Sequence, residues 1–152
     1  MSRKLTVEPA VVLKSAAIMF LVPVPFLLTV LLVIGVAQFY LTGDVGVAFE
    51  HAKAFRLSPG NLWLSYAAYG ITAIVVGYRL VVRLRAAAIL HIWLSIALFG
   101  FVHFILHASS DAAYIGALDD YRYLQFPFVL VVTAFAGFHL GCWHYRGAHI
   151  KR

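Results

Sequence analysis

Apolar residues run almost without a break from Ser15 to Tyr40, resume from about Leu62 to Val82 and from Ala86 to His107, and return from about Tyr123 to Trp143. Each run is near or above the roughly 20 residues that a helix needs to cross bilayer hydrocarbon. Polar stretches separate them: Leu41 to Gly60 with Asp44, Glu50, His51, Lys53 and Arg56, an arginine group of Arg79, Arg83 and Arg85, and the acidic Ala108 to Arg122. The pattern predicts an all-α integral membrane four-helix bundle, one domain over residues 1–152, with spans at about 15–40, 62–82, 86–107 and 123–143 and antiparallel neighbours.

Local signals refine this layout. Pro23 and Pro25 remove two backbone donors, which leaves the carbonyls of Met19 and Leu21 without helical partners and predicts a kink in the first span. Gly35-Val36-Ala37 is a small-x-small sequence that a signal peptidase could accept, but the apolar core far exceeds the roughly 7 to 15 residues of a signal, so the expectation is a retained helix. Ser58-Pro59-Gly60-Asn61 reads as a helix entry with Pro in the first turn. Neither Gly nor Pro separates the second span from the third. A continuous helix from Leu62 to His107 would measure roughly 70 Å, more than twice the hydrocarbon thickness, so a tight reversal is expected at the arginines. Thr133, Gly137 and Gly141 form a small-residue stripe that lets another helix approach closely.

Composition agrees: 63% of residues are hydrophobic and only 12% charged, against about one-quarter charged in soluble domains. The single cysteine, Cys142, excludes an intramolecular disulfide, a four-cysteine zinc site and a CxxC redox pair. The net charge of +6 sits in short clusters between apolar runs, so it argues for membrane topology and against nucleic acid as a partner. The N-terminal tail, the second connection and the C-terminal tail hold nine Lys and Arg, against three in the first and third connections. This asymmetry predicts that both termini and the second connection are cytoplasmic. The expected location is a bacterial inner (plasma) membrane.

Histidines carry the candidate chemistry, because a polar side chain at membrane depth is costly. Taking the third span's middle near Ala97 and the fourth's near Thr133, His91 and His139 each lie about 9 Å toward the cytoplasmic end. Two imidazoles at one depth on antiparallel helices suit axial ligation of a haem b. Arg79 and Arg83, one helical turn apart near that surface, are candidate partners for haem propionates. Alternatively, they are snorkelling anchors. The layout resembles that of small four-helix b-type cytochromes of respiratory membranes, which implies electron transfer to a quinone or a membrane protein partner.

Two further readings belong to other classes. His103 and His107 share a helix face, which Asp111 extends, giving a candidate divalent-metal site at the outer surface that His51, Asp44 or Glu50 would complete. His91 and His103 are about 120° apart around the helix and roughly 18 Å along it, so they cannot share one metal. The absence of a nucleophile-base pair, a phosphate loop or a carboxylate dyad within the spans favours a cofactor-free accessory protein that binds a partner in the bilayer, as immunity proteins against pore-forming toxins do. Hydrogen-bonded bundle histidines would serve that reading equally well.

Overall fold

The computed structural model describes residues 6–56, 58–110 and 121–150, and every regular element among them is helical. The helices are α1 (Pro9–Leu21), α2 (Pro23–Thr42), α3 (Val45–Arg56), α4 (Pro59–Leu84), α5 (Ala88–Ser110) and α6 (Tyr121–Ile150). Among the described residues, three stretches are long and apolar enough to cross a membrane: Pro9–Thr42, Pro59–Leu84 and Phe128–Tyr145. Ala88–Val102 is a shorter apolar helix.

The first apolar run divides at the expected place. Val22 keeps right-handed helical angles, φ −78° and ψ −46°, while Pro23 has no N–H to give, so the chain turns into α2 without leaving helical geometry. Gly43 ends α2 in the left-handed region at φ 69° and donates its N–H to the Phe39 carbonyl at 2.8 Å. Asp44 then opens α3, its Oδ1 accepting the N–H groups of Gly46 at 2.7 Å and Val47 at 3.3 Å. The polar connection expected between the first two spans is therefore largely a helix. Its apolar positions Val45, Ala48, Phe49 and Ala52 repeat at helical spacing and lie along α2.

Ser58 caps α4 as the sequence predicts, its Oγ accepting from the Asn61 N–H at 3.3 Å with Pro59 in the first turn. The reversal expected at the arginines is a single 3-10 turn, Arg85–Ala87. Arg85 itself makes it, at φ 52° and ψ −111°. These angles fall near the first central position of a type II′ turn, which favours glycine.

Two helix pairs build the core. On α6, Leu130, Ala134, Gly137 and Gly141 are buried against α4, and a Cβ at Gly137 would overlap the Ile74 carbonyl of α4. Reciprocally, a Cβ at Gly77 of α4 would overlap the Ala134 carbonyl, so the two backbones touch where both helices lack a side chain. Helix α1 instead packs in parallel on α5, presenting Val11, Val12, Ser15, Ala16 and Met19 to a stripe of His91, Ile92, Ser95, Ile96 and Phe99. Phe20, Tyr69 and Phe99 join the pairs, with ring centroids 6.2 Å (Phe20–Phe99) and 5.7 Å (Tyr69–Phe99) apart.

That ring cluster fixes a common level for α1, α4 and α5. Above it α2 climbs a further 33 Å or about that to Thr42, whereas α4 starts only about 15 Å away at Pro59. For helices running side by side, α2 overshoots the start of α4 by about 18 Å, and the 12-residue α3 brings the chain back over that same distance. Within α2 only Pro23 is buried.

Candidate functional site

His91 is wholly buried, at 0% exposure, and both ring nitrogens are engaged. Nε2 lies 3.0 Å from the backbone nitrogen of Glu8, which is a donor, so Nε2 must accept. The ring proton therefore sits on Nδ1 and is donated to the Ala87 carbonyl at 2.8 Å. Glu8 is the N-cap residue of α1, and its carbonyl accepts from Val11 at 3.0 Å and Val12 at 3.2 Å, so the histidine grips the start of that helix. One turn further along α5, the buried Ser95 Oγ donates to the Val12 carbonyl at 3.4 Å. The same spacing of 83 residues separates both pairs, which fixes the parallel register of α1 on α5.

The remaining polar contact is at the surface. Arg83 Nη2 lies 3.5 Å from Glu8 Oε2, both side chains being half or more exposed. Such a pair adds little stability, but it marks the level of the α1 start against the end of α4. Arg79 is exposed. Arg85 places its guanidinium 5.0 Å from the centroid of the Tyr145 ring and so ties the reversal to α6.

His139 is exposed and edges onto Phe138, with centroids 5.6 Å apart. The structure does not bring it to His91. Trp93 of α5 meets Phe135 of α6 at 5.4 Å, and His91 lies two positions before Trp93, about 200° around the helix. The face of α5 that meets α6 is thus nearly opposite the face that carries His91. With its one lone pair taken by the Glu8 amide, His91 has none to give iron, and these residues do not fit an axial haem pair. Rotation about the helix axis separates the two rings.

The outer-surface metal set falls elsewhere: Asp111 and the side chains of His103 and His107 lie outside the described residues. Of the groups expected to complete it, Asp44 caps α3, Glu50 lies 3.7 Å from Lys53, and His51 is exposed. Among the described residues no three of His, Cys, Asp and Glu come together. Ser65 and Thr72 donate to carbonyls of their own helix, at Asn61 and Ala68.

Sequence reasoning missed the feature that dominates the surface. Helices α2 and α3 form a hairpin with an open apolar groove of about 840 Å³, to which Lys53 and Arg56 contribute the charged side chains. The signal was present as two matched stripes: residues 28, 31, 32, 35, 36 and 39 on α2 repeat the spacing of 45, 48, 49, 52, 53 and 56 on α3.

Fold and site together define a small helical protein with several candidate spans and one apolar hairpin beyond its packed core. No known family model, curated protein or solved structure matches the chain.

Proposed function

We propose that the chain is an integral membrane protein of four spans, formed by α1–α2, α4, α5 and α6, with both termini cytoplasmic, that acts by binding a partner protein through the α2–α3 hairpin. The placement of Lys and Arg supports this orientation. One observation carries the function: the candidate span Pro9–Thr42, which includes Lys14 and turns at Pro23, has 34 residues, about 51 Å of helical path, whereas bilayer hydrocarbon is about 30 Å thick. Its upper part cannot all lie in lipid alongside α4. Yet that part exposes Val33 at 60%, Tyr40 at 84% and Leu41 at 79%, an apolar surface of the kind that marks an interaction site.

Photo-crosslinking in cells tests this reading. A benzophenone amino acid at Val33 or Tyr40 is expected to capture a discrete protein, whereas the same probe at the buried Val76 gives none. Absence of any discrete adduct at both hairpin positions would overturn it.

The haem reading requires His91 to release the Glu8 amide and α5 to rotate toward His139. A reduced-minus-oxidised spectrum of protein purified from haem-replete cells decides between the two. Haem bands that disappear on H91A/H139A substitution would replace the partner-binding reading with electron transfer.

A further inference from the structure

We propose that the groove between α2 and α3 binds a single-chain anionic amphiphile, a long-chain fatty-acid carboxylate, with its tail on the apolar stripes and its head at Arg56 and Lys53. This goes beyond partner binding and uses another surface, because Val33, Tyr40 and Leu41 do not line the groove.

The wall chemistry sets the ligand class. Leu32, Val36 and Phe39 face Val45, Phe49 and Ala52, so one long side of the site is hydrocarbon throughout. Sites for small ligands are mostly apolar concavities of about 300–1,000 Å³ with a few converging polar groups, and this groove falls within that range. From the level of Leu28 to that of Phe39 it runs about 17 Å, the reach of one extended acyl chain. Its volume suits one such chain and not the two of a phospholipid.

The charges set the sign and the end. Lys53 and Arg56 are three residues apart on one face of α3 and lie at the Arg56 end of the groove, away from Val45. Glu50 sits 3.7 Å from Lys53 and partly offsets it. Arg56 has no ion pair among the described residues. A guanidinium left over beside a hydrocarbon channel complements a carboxylate head. An apolar partner helix would leave that charge unanswered.

The test uses the full chain in phosphatidylcholine vesicles and reads the motionally restricted fraction of spin-labelled lipids by electron paramagnetic resonance. Spin-labelled stearate is expected to be selected over spin-labelled phosphatidylcholine, and its methyl ester is not. Each interfacial cation near an anionic lipid is worth about fivefold in affinity. R56Q is therefore expected to lower stearate selectivity by about fivefold, K53Q by less, and E50Q to raise it. V36W, which fills the groove without changing charge, is expected to abolish selectivity while leaving the partner crosslink at Tyr40 in place. Equal selection of acid and ester, or unchanged selectivity in R56Q and V36W, would overturn the proposal. Preferential restriction of spin-labelled phosphatidylglycerol over stearate would also overturn it, assigning the cations to a bilayer lipid instead.

Discussion

At the scale of single residues, His91 shows how a buried polar group in an apolar bundle is made affordable. An imidazole without partners would cost several kcal/mol in such surroundings, and here the Glu8 amide and the Ala87 carbonyl use both nitrogens. The ring takes the N–H of the N-cap residue Glu8, as the third-position side chain of a capping box does, while Glu8 makes no side-chain capping bond of its own. H91A removes the partner of the Glu8 N–H and opens a cavity at a wholly buried position, so a loss of about 2–4 kcal/mol is expected. H91Q keeps an acceptor within reach of that amide and is expected to recover more than half of the loss. Thermal unfolding of the detergent-purified protein, followed by thiol-dye labelling of Cys142, measures both. Equal midpoints for H91A and wild type would remove the clasp from the account. Arg85 makes a second residue-level prediction, because its φ of 52° is strained for any residue with a Cβ. R85G relieves that strain, while R85A keeps it, and both lose the contact with Tyr145. R85G is accordingly expected to be more stable than R85A by about 1–2 kcal/mol in the same assay.

At the scale of elements, what was legible in the sequence depended on whether one residue or a relationship carried the information. Apolar length located the helices, and Ser58 and Pro59 placed a helix start, because a cap acts within one turn. The split at Pro23 was readable for the same reason: proline's missing donor is a local fact. Helix α3 was obscured because five polar or charged residues from Asp44 to Arg56 suggested a solvated connection, although its apolar face repeats every three or four positions. The haem pairing rests on a relationship. Depth along a span follows from counting residues, but the facing of two helices depends on which stripes pack, and the α1 stripe claimed the His91 side of α5. The small-residue stripe of α6 was legible, whereas its partner surface on α4, marked by Gly70 against Thr133 and Gly77 against Ala134, was not read. That contact makes a firm prediction. G77A and G137A each force the touching backbones of α4 and α6 apart and are expected to cost about 1–3 kcal/mol. G100A, on α5 with open space around its Cβ position, is expected to be neutral or slightly stabilising. Unfolding midpoints of the three variants, ranked in the opposite order, would contradict this close approach.

At the scale of the whole molecule, the parallel pairing of α1 with α5 constrains the topology more tightly than charge counting does. Hydrogen bonds at Glu8–His91 and Val12–Ser95 put the start of α1 level with the start of α5, and Glu8–Arg83 puts both beside the end of α4. If α4 crosses the bilayer, residue 6 and the Arg85–Ala87 turn share one membrane face whatever the orientation. The α2–α3 hairpin must belong to the other, because α4 runs from Pro59 beside the hairpin to Leu84 beside Glu8. Under the proposed orientation the Glu8 end, where Arg79, Arg83 and Arg85 cluster, is the cytoplasmic one. A cysteine placed at Thr6 and another at Gly46, each in a C142S background, separate the two claims. An impermeant maleimide added to intact cells is expected to label the Gly46 cysteine and to reach the Thr6 cysteine only after the membrane is opened. The reverse pattern would keep the fold and invert its orientation. Labelling of both positions from one side would break the fold's own prediction, because no arrangement with α4 crossing the bilayer puts Glu8 and the hairpin on the same face.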